Sequence, residues 1–156
     1  MKPAENTMPF AANLAPHLIC DGAADAIEFY KKAFDAEEMM RLPRPDGRLM
    51  HAAVVINGAL VMLMDQFPDM KSFGPKALQG TPVVIHLNVA EVDAVFSQAV
   101  KAGAKAVLQP TDMFWGDRYG QVEDPFGHLW SMSTPGKKLT PEQILEASKT
   151  AVGGCA

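Results

Sequence analysis

The chain alternates between two hydrophobic rhythms, and their order repeats. Leu14, Leu18 and Cys20 oppose Ala15, His17 and Ile19, which predicts a strand over Asn13 to Cys20. Asp21-Gly22 then reads as the N-cap of a helix from Ala23 to Phe34, where Ile27, Tyr30, Lys31 and Phe34 fall at helical spacing beside Ala23 and Ala26. Strands are expected at Glu37 to Leu42, Leu49 to Ile56 and Ala59 to Asp65, separated by the turn Pro43 to Gly47 and by Asn57-Gly58, a strong hairpin signal. Together these give β-α-β-β-β.

Gln66 to Gly80 has little periodicity and reads as a linker. The same order then returns. Val83 to Val89 is apolar on both faces and predicts a buried strand, Glu91 to Lys101 is an amphipathic helix closed by Gly103, and Ala104 to Gln109 is a strand. A loop from Asp112 to Arg118 leads into a hairpin, Tyr119 to Glu123 and His128 to Ser133, turned by Asp124-Pro125-Phe126-Gly127. His17 and His86 stand 69 positions apart, as do Gly58 and Gly127, and Asp25-Ala26-Ile27 precedes Asp93-Ala94-Val95 by 68. A near-constant offset over three landmarks indicates an internal duplication. The domain is expected to span 13–134, with modules 14–65 and 82–133. A last helix, Thr140 to Thr150, with Pro141 at its first position and Thr140 and Gln143 as a capping box, would lie in a C-terminal segment, 135–156.

Composition narrows the class. With 156 residues, 48% hydrophobic and 21% charged, the chain suits one globular domain. No apolar run approaches a bilayer span, the N-terminus has no secretory pattern, and residues 1–12 read as a loose polar arm, so the expected location is the cytoplasm without membrane partners. Cys20 and Cys155 are expected to be free thiols. A net charge of −4 without basic runs argues against nucleic acid.

Two modules of this order, with a histidine in each first strand and a glycine turn before each last strand, resemble the vicinal oxygen chelate superfamily of glyoxalase I, bleomycin-resistance proteins, fosfomycin-modifying enzymes and extradiol dioxygenases. Ala24 to Tyr30, Phe114 to Gly120 and Asp124 to His128 are similar to its PhnB-like branch. The implied fold is α+β, two tandem βαβββ modules whose curved mixed sheets surround a cup, plus the C-terminal helix. By position the resemblance makes His17 and His86 metal ligands and implies homodimers, with cups built within one chain or between two. The remaining ligand places, usually carboxylates, hold Met62 and Ser131, so a divalent Zn, Ni, Mn or Fe would need Glu123 or Asp65, and the preferred reading has no metal.

Around the implied cup, Phe114, Trp115, Tyr119 and Trp130 would form an aromatic wall, Met62 and Met64 an adaptable lining, and Arg118 either an anion clamp or an ion pair with Asp117. His51 and Glu123 are the acid/base candidates, and His128 is expected to be exposed at the turn or to cap the hairpin. The expected function is binding or sequestration of a small aromatic or chelating molecule through His17, Met62, His86, Phe114, Trp115, Arg118, Tyr119, Trp130 and Ser131. The alternative is a metal-dependent lyase, isomerase, transferase or dioxygenase.

Overall fold

The computed structural model describes residues 14–151. The expected arm at 1–12, Asn13 and Cys155 lie outside that range. The elements are β1 (His17–Cys20), α1 (Ala23–Phe34), β2 (Glu37–Pro43), β3 (Leu49–Ile56), β4 (Ala59–Asp65), a 3₁₀ turn (Pro68–Met70), α2 (Pro75–Leu78), β5 (Val84–Asn88), α3 (Val92–Ala102), β6 (Lys105–Asp112), β7 (Arg118–Glu123), β8 (Leu129–Thr134) and α4 (Pro141–Thr150). Two four-stranded mixed sheets result, in the orders β1-β4-β3-β2 and β5-β8-β7-β6. In each, the first strand of the module pairs parallel with the last, and the hairpins pair antiparallel. The fold is thus α+β with two tandem βαβββ units and a C-terminal helix.

The sheets share one core. Strand alternation sends Leu18, Cys20, Val61, Leu63, Val54 and Ile56 of the first sheet, and Leu87, Val122, Trp130 and Met132 of the second, toward α1 and α3 in a single hydrophobic cluster. Ala26, Ala33 and Ala99 are fully buried small residues, which let the helices approach each other and the sheets closely. Tyr30 and Phe34 reach from α1 across to Trp130, with ring centroids 5.3 and 4.8 Å away. Fully burying each such side chain contributes about 2–3 kcal/mol. Each sheet therefore has one face on the common core and one face turned away from it.

The first helix starts where Asp21-Gly22 places it, but its cap comes from a distant residue. Asp21 does not cap α1; Gly22 is the N-cap residue, in the left-handed region, and no local side chain serves it. The carboxylate of Asp65 does so from the end of β4, accepting from the N–H groups of Gly22 (3.0 Å) and Ala23 (2.9 Å), and with its other oxygen from Leu49 N–H (2.6 Å). Thr134, 69 positions on, ends β8 in the same way: its Oγ1 accepts from Val92 N–H at 2.8 Å, at the start of α3. The duplication thus extends to a cap supplied by the last strand of each module.

Other local expectations shift. The linker contains a 3₁₀ turn and the short α2. β5 is not buried on both faces, since Val84 is 44% exposed and His86 is exposed. β6 runs on to Asp112, through two register shifts around Leu108, which shortens the loaded loop to 113–117. α4 carries the expected capping box, with Gln143 N–H donating to Thr140 Oγ1 and Thr140 N–H to Gln143 Oε1. No helix among the described residues is long and apolar enough to cross a membrane.

On the rim of the first sheet, Lys31 and Arg41 both donate to Glu38, and its carboxyl is held down at about 2, chiefly by the Arg41 and then the Lys31 hydrogen bond. A depressed acid stabilises the folded state above its unfolded pKa of 4.5 and ceases to do so as pH falls toward 2. Denaturation of the wild type and of Glu38→Gln should therefore show the wild type more stable at pH 7 by a small, salt-sensitive margin. That margin should close between pH 4.5 and about 2; a constant margin over this range would contradict the assignment.

Candidate functional site

The chemically loaded side chains lie on the two outward faces, and strand register orders them. On the second sheet, His86, Ser131 and Gln121 are neighbours across β5, β8 and β7, and Asn88, Ser133 and Tyr119 form the next row. Ser131 and Ser133 engage both ring nitrogens of His86, Nδ1 at 2.8 Å and Nε2 at 3.2 Å. Tyr119 stacks beside the imidazole, with centroids 6.1 Å apart and planes 12° from parallel, and Trp115 meets Tyr119 edge-on at 5.8 Å. Phe114 in turn stands edge-on to Trp115 at 5.0 Å. The result is a partly exposed aromatic run beginning at an oriented imidazole.

The loop that carries Trp115 is pinned by the chain beyond β8. Gly116 and Gly136 lie backbone to backbone: Lys137 N–H donates to the Gly116 carbonyl at 3.0 Å, and a Cβ at Gly116 would come within 2.3 Å of the Lys137 carbonyl oxygen. Gly116 also has φ +104°, so only glycine suits it on both counts.

On the first sheet, His17 pairs in register with Met62, and Met62 with Ala53. Ile19 pairs with Met64 in the next row, and Leu60 with Val55 on the far side of Met62. His51 belongs to the same face, and its ring meets His17 edge-on at 5.7 Å. Partial covering of the His17 ring, and then the nearby His51, hold its pKa below the ordinary 6.5. The module equivalents His17 and His86 thus sit on different sheets, each with an aromatic neighbour in an equivalent place.

Several expected site residues are elsewhere. Trp130 is fully buried on the core face, donating Nε1–H to Asp124 at 2.9 Å, and takes no part in the lining that Ser131, one residue on, faces. Arg118 does not pair with Asp117; it donates two hydrogen bonds to Asp93 (2.6 and 2.8 Å) and one to Asp112 (3.0 Å), so its guanidinium ties β7 to α3. His128 is not an exposed turn residue but is 9% accessible, with Nε2 3.1 Å from the Ile19 carbonyl oxygen. Glu123 lies at the margin of the second sheet, in the row of Leu129, beside a 280 Å³ hollow that it shares with Lys76, Gln79 and Thr81. His51 and Glu123 are therefore on different sheets.

The residue that the sequence reading missed is Asp124. It is 3% exposed and accepts from Tyr30 Oη (2.7 Å), Trp130 Nε1 (2.9 Å), and the N–H groups of Phe126 and His128 (both 2.9 Å), joining helix α1 to the second module. Its position at the first residue of a Pro-Phe-Gly turn signals the backbone contacts, but nothing local signals Tyr30.

A hollow of about 710 Å³ lies between the β3–β4 hairpin and α3, lined by residues such as Phe34, Asn57, Asn88, Glu91, Val95 and Gln98. A more apolar one, about 320 Å³, runs beside β1 from His17 and Ile19 to Phe73, Pro75 and Leu78 of the linker. The second is near the lower end of small-ligand sites.

Paired βαβββ modules with a histidine on each first strand define a glyoxalase-type domain. The sequence profile of the Glyoxalase/Bleomycin resistance protein/Dioxygenase superfamily matches residues 12–132, and the chain belongs to that superfamily. An uncharacterized protein of Mycobacterium tuberculosis H37Rv is 52% identical over 144 residues, covering 90% of this chain and 85% of that one. Among solved structures, TioX from Micromonospora sp. ML1 superposes with a TM-score of 0.62 at 26% identity, covering 78% of this chain and 96% of TioX. The fosfomycin resistance protein FosX from Listeria monocytogenes, solved with Mn(II) and sulfate, gives 0.62 at 18% identity over 86% of this chain and 95% of FosX, a likeness of fold.

The donors here do not suit the hard divalent ion that such a fold implies. Met62 and Ser131 stand in register beside His17 and His86, and neither supplies an anionic oxygen. The nitrogens of His86 are engaged by serine hydroxyls, and the carboxylate of Asp65 is committed to three backbone N–H groups. Among the described residues, no three of His, Cys, Asp and Glu gather into one potential site.

Proposed function

We propose that this chain is a small-molecule-binding protein that holds a planar, aromatic or chelating compound in a cup completed by a second copy of itself. The observation that carries the reading is the aromatic run on the outward face of the second sheet, where Tyr119 stacks beside an imidazole fixed by two hydroxyls and Trp115 stands over its edge. Stacking surface with a few oriented polar groups is what a planar guest requires. The other half of the cup would be the partner's first sheet, whose Ile19, Leu60, Met62 and Met64 give an apolar, pliable cover, with His17 and His51 at its polar end. Both faces point away from the core, so one chain alone leaves each half open. Phe114 would border the opening. Arg118 acts as a strut, and Glu123 stands at the rim. The buried thiol of Cys20 fits a reducing cytoplasm.

Light scattering should give a dimer at micromolar concentration. A panel of planar heteroaromatic and catechol-type compounds, read by thermal shift with and without Mn(II) or Zn(II), should contain metal-independent stabilisers. Loss of the indole in Trp115→Ala should weaken such compounds about five- to thirtyfold by calorimetry, about 1–2 kcal/mol of stacking. A monomer would remove the shared cup. Stabilisation that requires the divalent ion would favour the metal-dependent alternative, and binding indifferent to Trp115→Ala would place the guest elsewhere.

A further inference from the structure

The first sheet's outward face carries an unusual donor set for a strand surface. We infer that it is a binding site for a soft monovalent metal ion, Cu(I), held by the imidazoles of His17 and His51 and the thioethers of Met62 and Met64. The strand lattice places these four on one face. β1 and β3 flank β4, and His17 and His51 differ by one row as well, so strand spacing and rise alone would set their Cα positions about 12 Å apart. Their rings nevertheless lie 5.7 Å apart, so they lean toward each other across β4, from which Met62 and Met64 project on the same face. Ala53, beside Met62 on β3, adds little bulk to this floor. Among the described residues no hydrogen-bond partner claims either ring, in contrast to His86 and His128.

The chemistry selects the ion. Thioethers are soft, neutral ligands that favour Cu(I) over hard cations, imidazole serves it as well, and a site without carboxylates offers Mg, Mn or Ca nothing comparable. In the second sheet the equivalents of Met62 and Met64, Ser131 and Ser133, are hydroxyls, so only the first module has the soft set. The site uses side chains that the proposed function assigns to the cover of the cup, but it lies on one sheet of one chain and requires neither a second copy nor an organic guest, so copper retention is read independently of dimer formation and ligand binding.

The test is competition for Cu(I) under anaerobic reducing conditions against the chromogenic chelator bicinchoninate, using the full chain with Cys155→Ser so that the tail thiol does not compete. One Cu(I) per chain should pass from chelator to protein. Met62→Leu with Met64→Leu, and separately His17→Gln with His51→Gln, should each weaken retention more than tenfold, whereas Met132→Leu, a thioether in the core, should not. Should either pair fail to fold by circular dichroism, addition of Ag(I) to methyl-labelled unsubstituted protein should shift the Met62 and Met64 methyl resonances and spare Met132. Copper left with the chelator, undiminished retention in both folded pairs, or unmoved Met62 and Met64 methyl signals would each overturn the assignment.

Discussion

Replacing Asp124 with alanine is expected to cost on the order of 4 kcal/mol, which for a domain of this size lowers the melting temperature by roughly 8–16 °C in scanning calorimetry. One buried carboxylate accepts from a phenol, an indole and two backbone amides, and no water route replaces it at 3% exposure. Deleting it orphans the Tyr30, Trp130 and His128 donors in the core and the half-buried Phe126 amide, and an unpaired buried donor costs about 1–3 kcal/mol. Tyr30→Phe supplies the contrast, because it removes one donor and its demand together and should cost only about 1 kcal/mol. In the Asp124→Ala background, Tyr30→Phe should then be nearly neutral or stabilising, since it relieves an orphan; this is the sign a double-mutant cycle reads. A loss below about 1 kcal/mol for Asp124→Ala would mean that the contacts joining α1 to the second module contribute little.

The parts of the fold that sequence revealed are those governed by short-range rhythm. Two-residue alternation and 3.6-residue periodicity gave each β-α-β-β-β order, and the Asn57-Gly58 and Asp124 to Gly127 turns located the hairpins, because those signals act within a few residues. Alternation could have gone further: Trp130 and Ser131 are adjacent in one strand and cannot line the same face, so the burial of Trp130 was legible and its size argued for the core. The partners of Arg118 were not legible. Asp117 is its neighbour in sequence, yet Asp93, on α3, and Asp112, across the β6–β7 pair, are its neighbours in space, and only the packed register shows it. His128 failed for the same reason, its acceptor lying 109 residues away in β1. Module pairing was out of reach as well: hydrophobic pattern says that two faces are buried against helices, not that both sheets share one core and turn their polar faces outward.

The helix caps show how a duplicated device diverges, and they make the second large prediction. Asp65→Ala should cost about 3 kcal/mol, because one side chain serves the half-buried Gly22 amide and the buried Ala23 amide at the start of α1 and the buried Leu49 amide of β3. Thr134→Val, at the equivalent position, removes one acceptor from Val92 N–H and should cost about 1 kcal/mol. Hydrogen exchange separates local from global effects. Asp65→Ala should speed exchange at Ala23 and the first turn of α1 while α3 keeps its protection, and Thr134→Val should do the reverse. The asymmetry has a physical origin: a carboxylate with two oxygens can join a helix start to a neighbouring strand, whereas a single hydroxyl can serve only the helix. Equal costs for the two substitutions, or unchanged protection at Ala23, would show that α1 begins where it does because Ala23, Ala26 and Ile27 pack against the sheet, with the cap from β4 a passive neighbour.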